Sequence, residues 1–166
     1  MGTQFSEEDL YSAKSYNVGE DVVMVEHQAI YIGSSDHDDT DWLNIARVFV
    51  NGNAIFDHRE FDYGPRRISD EKAIQGALAY PDDIHAKYSV EKYEEYENEI
   101  KEMSVLEKFF NRKEYHKLTN RLKKVERDYL RVKGILDSSS VLRKAAAIAD
   151  KVPSDVKKTV VQPGSY

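Results

Sequence analysis

The stretch Ile45–Phe56, with the sequence IARVFVNGNAIF, holds the strongest local signal in the chain. Two apolar runs, rich in β-branched and aromatic residues, flank the dipeptide Asn51-Gly52. Asn-Gly tolerates the positive φ angles that both central residues of a type I′ turn adopt, so it is typical of a two-residue β-hairpin. The stretch therefore predicts two antiparallel strands that meet at this turn.

Further strand signals lie on both sides of this hairpin. Upstream, Val22–Val25 and Ala29–Ile32 are short apolar runs separated by the polar Glu26–Gln28, which predicts a second hairpin. Downstream, Phe61–Tyr63 extends the last strand to a turn at Gly64-Pro65. Four or five strands within about fifty residues predict a small antiparallel sheet, either curled into an SH3-like barrel or left open as a meander.

The rest of the chain carries helical signals. Ser69 or Asp70 can cap a short helix that must end before Pro81, and Ser89 can cap a second helix. Residues 104–112 contain sequences that resemble capping boxes around a dense apolar cluster, which predicts a bend or a break. A last helix is expected over residues 141–152, with Leu142, Ala145, Ala146, Ile148 and Ala149 packed inward.

The clearest periodicity defines a heptad helix over about residues 112–133. Its apolar positions recur at intervals of three and four residues, and Gly134 is expected to end it as a C′ residue. We expect its central positions Leu118, Leu122 and Val125 to be buried. The seam consists of Tyr115, Leu118, Leu122, Val125, Tyr129 and Val132.

These signals together predict an α+β protein. A β-rich module is expected over residues 1–68, beginning with a polar lead-in over residues 1–17. A helical region follows over residues 69–152, shaped as a hairpin like a coiled coil, and residues 153–166 form a basic tail.

Charge is distributed unevenly along the chain. Residues 1–107 hold 9 Lys/Arg and 24 Asp/Glu, a net charge of −15, whereas residues 108–166 hold 15 Lys/Arg and 6 Asp/Glu, a net charge of +9. Such a split indicates either internal complementarity or an anionic partner for the second part. We expect the anionic partner to be bound by the basic side chains of the heptad helix, namely Arg112, Lys113, Lys117, Arg121, Lys124, Arg127 and Arg131.

An alternative for the same charges stays open at this point. The preceding helix is rich in glutamate, and the two helices could form an antiparallel hairpin in which opposite charges pair across the seam. Exposed pairs of this kind contribute only about 0.2–1 kcal/mol each, so the apolar seam would carry the stability.

Several classes of site are disfavoured by composition. The chain has no cysteine, which excludes disulfides, zinc-thiolate sites and cysteine nucleophiles and fits a reducing compartment. Residues 1–10 are acidic without an apolar run, so no signal peptide is expected, and no window is apolar enough to span a membrane. The five histidines lack paired-ligand spacing, and no phosphate-binding or nucleophile motif occurs.

Two weak matches and one small cluster remain. The acidic loop Asp36–Asp41 offers carboxylates to a divalent cation, but it departs from the EF-hand pattern where that pattern needs glycine and glutamate. Asp82, Glu99 and Lys101 match the letters of a metal-dependent nuclease signature, yet Glu99 and Lys101 fall on opposite sides of a predicted helix. Arg66-Arg67 is a small basic spot that could contact a phosphate.

The sequence therefore favours a non-enzymatic interaction protein without cofactor or metal, located in the cytoplasm or in a virion. Its β module and basic helical part would dock partners in a larger complex, one of them anionic, and a protein partner or a homo-oligomer is expected. Three alternatives stay open: an assembly subunit of a viral or similar particle, a protein that binds nucleic acid alone, and an enzyme without a recognisable motif.

Overall fold

A computed structural model describes residues 11–33 and 41–151 of the 166-residue chain. Four strands come first and five α-helices follow, which confirms the α+β class. The strands are β1 (Tyr11–Val18), β2 (Asp21–Tyr31), β3 (Trp42–Val50) and β4 (Asn53–Asp62). The helices are α1 (Asp70–Ala79), α2 (Ile84–Glu102), α3 (Val105–Phe110), α4 (Arg112–Asp137) and α5 (Ser139–Asp150), with a 3-10 turn over Tyr80–Asp82.

The four strands form one open antiparallel sheet in the order β1-β2-β3-β4. The predicted turn lies between β3 and β4, where Asn51 and Gly52 have φ angles of 50° and 82°. Positive φ at both residues is what a type I′ turn requires. The open meander is therefore the correct one of the two predicted sheet forms, and the barrel is not formed.

Two predictions about the first strands are wrong. The lead-in contains β1, and the two runs expected to form a hairpin are one continuous strand, β2. The polar break between those runs stays in the strand because its side chains find partners far away in the sequence. Glu26 and Gln28 both accept hydrogen bonds from Arg47 on β3, while His27 points into the core.

One face of the sheet forms the core with α1 and α5. Along β2, Val23, Val25, His27 and Ala29 alternate inward and are all buried. Helix α5 contacts β1 and β2. Helix α1 comes close to β4 at Gly76, where an added Cβ would lie 3.3 Å from the ring of Phe56. Glycine at this position lets α1 pack tightly on the sheet.

Helix α1 agrees with its prediction, but α2 begins earlier than expected. Its N-cap is Asp83, whose side chain accepts a hydrogen bond from the backbone NH of His85. Ser89, predicted as the cap, is instead buried inside α2 and donates a hydrogen bond to Asp128 on α4. Residues 84–88, which precede the predicted cap, are thus helical.

The predicted break between α2 and α4 is confirmed. Met103 and Ser104 leave the helical conformation, and Ser104 and Glu107 form a capping box that starts α3. Helix α4 then runs to Asp137, so the prediction that Gly134 ends the helix is wrong. The helix continues for three residues beyond Gly134 and buries the side chain of Ile135, which favours its continuation.

Fewer residues of the heptad seam are buried than predicted. Leu118 and Val132 are buried, whereas Leu122 and Val125 are half-buried. A pair of helices covers less of each seam residue than a larger bundle does, because each helix has one neighbour along the seam. In α5, Leu142, Ala145, Ala146 and Ala149 are buried as predicted, while Ile148 is exposed.

The described residues divide into two compact units. The first comprises residues 11–33, 41–78 and 138–151 and holds the sheet with α1 and α5. The second comprises residues 79–137 and holds α2, α3 and α4. Because α5 packs on the sheet, the chain leaves the first unit for the helices of the second and then returns.

Candidate functional site

The first candidate is a cluster of ionisable side chains around Asp70. Asp70 stands at the start of α1 and is completely buried. Its carboxylate accepts hydrogen bonds from the hydroxyl of Tyr16 on β1, from Nε2 of His27 on β2 at 2.5 Å, and from the guanidinium of Arg67 at 3.2 Å. The cluster therefore ties the start of α1 to two strands of the sheet.

Electrostatics within the cluster favour an ionised Asp70. Burial raises the pKa of its carboxyl, but hydrogen bonds from His27 and Tyr16 and the charge of Arg67 outweigh burial and hold the pKa below its ordinary value. Burial and the hydrogen bond to Asp70 raise the pKa of the Tyr16 hydroxyl, so this group stays protonated. The result is one carboxylate neutralised by several donors.

The cluster is too deeply buried for a substrate to reach it. Tyr16, His27 and Asp70 are each exposed by 3% or less, so a substrate cannot touch their reactive atoms. Nδ1 of His27 and the hydroxyl of Ser12, its neighbour across the strands, are also buried and find no hydrogen-bond partner among the described residues. The cluster therefore has a structural role, in which it holds α1 against the sheet.

The sequence analysis does not predict this cluster, although one signal in the sequence points to it. His27 occupies an inward position in the alternation Val23, Val25, His27, Ala29, where an imidazole needs a polar partner from another element. Asp70 was interpreted as a helix cap, and its distance of 43 residues from His27 concealed the contact.

The nuclease-like residues Asp82, Glu99 and Lys101 do not belong to a metal-binding group among the described residues. Within residues 11–33 and 41–151 there is no group of three or more His, Cys, Asp or Glu that could hold a metal ion. Glu99 and Lys101 lie on α2, as their helical interpretation predicts. Residues 36–40 of the acidic loop lie outside the described residues. The described helices include none with the length and apolarity to cross a membrane.

The second candidate is the helix pair α2 and α4. Near its middle the rings of Tyr93 and Tyr129 stack with centroids 3.8 Å apart, and Ser89 bonds Asp128. Helix α2 is about 28 Å long, and nine residues, six of them helical, cannot bring the chain back over that length. Helices that pack along each other with so short a connection are antiparallel.

The predicted basic residues lie mostly on one side of α4. At about 100° per residue, all of them except Arg112 fall within an arc of about 120°, over an axial length of about 27 Å. The residues within the arc form what we term the basic stripe: Lys113, Lys117, Arg121, Lys124, Arg127 and Arg131. Arg131 is half-buried and the other five are exposed. Arg112 is exposed on another side of the helix.

The exposed cations of the basic stripe form no salt bridges with the described carboxylates of the acidic helix α2. The salt bridges of α2 lie within α2 itself, from Lys92 to Glu95 and from Lys101 to Glu97. Among the described residues, no carboxylate makes a salt bridge with any of the five exposed cations of the basic stripe. Asp128 falls within the arc of the stripe, where it is half-buried and accepts a hydrogen bond from Ser89.

The helix pair as a whole carries no net charge. Residues 79–137 hold 13 Lys/Arg and 13 Asp/Glu, but the charges are segregated. The exposed carboxylates of α2 are Glu91, Glu94, Glu95, Glu99 and Glu102. Among the described residues, none of these carboxylates makes a salt bridge with an exposed cation of the stripe. The basic stripe therefore presents local positive charge on a neutral unit.

Comparison of the chain with models of protein families, with curated proteins and with solved structures finds no match in any of the three.

Proposed function

We propose that this protein is a non-enzymatic interaction protein that binds an anionic partner through the basic stripe of α4. The observation that carries the proposal is the set of five exposed cations without a salt bridge to any described residue. Charges that stabilised the helix pair by internal pairing would face the carboxylates of α2. Charges aligned on one side and left unpaired are suited to a partner.

Nucleic acid is the partner class that the geometry of the stripe fits best. Successive cations of the stripe are three or four residues apart, a rise of about 4.5–6 Å along the helix. Duplex DNA carries about one negative charge per 1.7 Å of its axis over the two strands, so several phosphates lie within the length of about 27 Å that the stripe covers. Several stripe side chains can therefore contact phosphates at once.

A salt titration tests the proposal. If the five exposed stripe residues neutralise five phosphates of duplex DNA, the logarithm of the affinity should fall against the logarithm of the salt concentration with a slope of about −4.5. Replacing Lys117, Arg121 and Lys124 by glutamate should flatten this slope by roughly two to three units, because three phosphate contacts are lost. Fluorescence anisotropy of a labelled oligonucleotide measures both slopes.

The triple variant should keep its fold, because the three replaced side chains are exposed and lie outside the seam. Its circular dichroism spectrum and melting temperature provide that check. Equal slopes for the parent and a folded triple variant would show that the stripe does not contact phosphates. If the parent binds an acidic protein but no DNA, and the triple variant loses that complex, the stripe is still the binding surface. The partner is then an acidic protein and not nucleic acid.

A further inference from the structure

Helix α3 holds its large apolar side chains in solvent. Val105, Leu106, Phe109 and Phe110 are 83%, 68%, 70% and 76% exposed, although they make up four of the six residues of the helix. Single exposed apolar residues are common on protein surfaces, but a contiguous group of this size is a mark of an interaction site. We term these four residues the apolar cap.

The other side of α3 attaches it to its surroundings. Ser104 and Glu107 close the start of the helix through the capping box, and Nζ of Lys108 lies 5.7 Å from the centre of the Tyr115 ring on α4. The four cap residues sit at positions i, i+1, i+4 and i+5, an arc of about 140° at 3.6 residues per turn. The apolar cap thus forms one continuous face that no described residue covers.

The size of this face suits a protein contact. A phenylalanine buries about 150–250 Å² when it is covered, so four residues at these exposures present roughly 500 Å². Two such faces together would bury about 1,000 Å², close to the smallest area of specific interfaces.

We propose that the apolar cap binds the apolar cap of a second copy of this chain, with the two α3 helices antiparallel about a two-fold axis. A symmetric contact of this kind places the same face on both partners, so apolar area meets apolar area by necessity. The proposal is independent of the partner of the basic stripe.

The charges beside the cap favour this arrangement. Glu102 and Glu107 stand near the start of α3, whereas Arg112 and Lys113 follow its end. In an antiparallel pair the acidic start of one helix faces the basic end of the other, so each copy supplies both signs. A nucleic acid or an anionic lipid surface would meet the two glutamates as well, which disfavours those occupants.

Sedimentation velocity over a range of protein concentrations, without nucleic acid, tests this inference. The parent is expected to pass from monomer to dimer as its concentration rises. Replacing Phe109 and Phe110 by serine should raise the dissociation constant by about 100-fold or more, since burial of each ring contributes strongly to association. The fold should survive, because both rings are exposed in the single chain.

A matched control replaces Phe61 and Tyr63 by serine, since these side chains on and after β4 are 63% and 69% exposed. This variant should dimerise like the parent. A second test replaces Arg112, which lies outside the basic stripe, by glutamate, which should weaken the dimer by removing a charge opposite Glu102 and Glu107.

Three results would overturn the inference. A parent that stays monomeric at every accessible concentration lacks the contact. A dimer that persists unchanged in the Phe109→Ser, Phe110→Ser variant uses another surface. A parent that is monomeric but dimerises once residues 152–166 are deleted covers the apolar cap with its own C-terminal segment.

Discussion

Replacing Asp70 by asparagine is expected to lower the free energy of unfolding by about 3–5 kcal/mol, the usual cost of removing one partner from a buried ionic cluster. The variant keeps the shape of the side chain but removes the negative charge that His27 and Arg67 face. Those donors would then be buried beside a neutral amide. Urea unfolding followed by circular dichroism measures the loss.

The control for this prediction is Asp82→Asn, which makes the same chemical change at an exposed position. It should alter the free energy of unfolding by less than about 0.5 kcal/mol. If Asp70→Asn were equally mild, the carboxylate would not be the centre of the cluster.

At acid pH the difference in free energy of unfolding between the parent and Asp70→Asn should become small. The pKa of Asp70 is held below its ordinary value, which is about 3.9 in a free chain. A carboxyl with a lowered pKa stabilises the fold above the unfolded pKa and loses that contribution as the pH falls through the folded pKa. The difference in stability should therefore shrink as the pH falls below about 4. A difference independent of pH would contradict an ionised Asp70.

Leu118→Ala is expected to destabilise the helix pair by about 2–5 kcal/mol, the range for truncation of a buried leucine. Leu118 is 4% exposed on α4, and the packing of α2 against α4 fixes the position of the basic stripe. Loss of this side chain leaves a cavity that the seam can fill only in part. Thermal or urea unfolding of the full chain measures the effect.

The matched control is Leu130→Ala on the same helix, where the side chain is 54% exposed and the change should cost less than about 0.5 kcal/mol. Leu122→Ala should lie between the two, because Leu122 is half-buried. Equal effects at all three positions would contradict the seam observed here.

Local signals in the sequence predicted much of the fold. Asn51-Gly52 specifies its turn by the φ angles of two adjacent residues, and the capping box at Ser104 and Glu107 specifies the start of α3. Strand β1 was hidden because, at an edge of the sheet, it buries Ser12 and Tyr16 and exposes most of its other residues. An edge strand of that composition lacks the apolar run by which strands are recognised.

The remaining parts of the fold could not be predicted, because they depend on contacts between residues far apart in the sequence. The continuity of β2 depends on Arg47 and Asp70, which meet its polar residues only in the folded chain. The positions of the basic stripe follow from helical periodicity and were predictable. The exposure of Phe109 and Phe110 was not, because an apolar face looks the same in sequence whether or not another element covers it.

The claim that the basic stripe binds an anionic partner is tested most directly by two variants of equal net charge. One carries glutamate at Lys117, Arg121 and Lys124 on the stripe. The other carries glutamate at Lys87, Lys123 and Lys133, which are equally exposed but lie off the stripe. Affinity for duplex DNA is compared at about 0.1 M salt, where three lost phosphate contacts correspond to a loss of about 100-fold or more. We expect that loss for the stripe variant and a much smaller one for its counterpart, whereas equal affinities of the two variants would contradict the account.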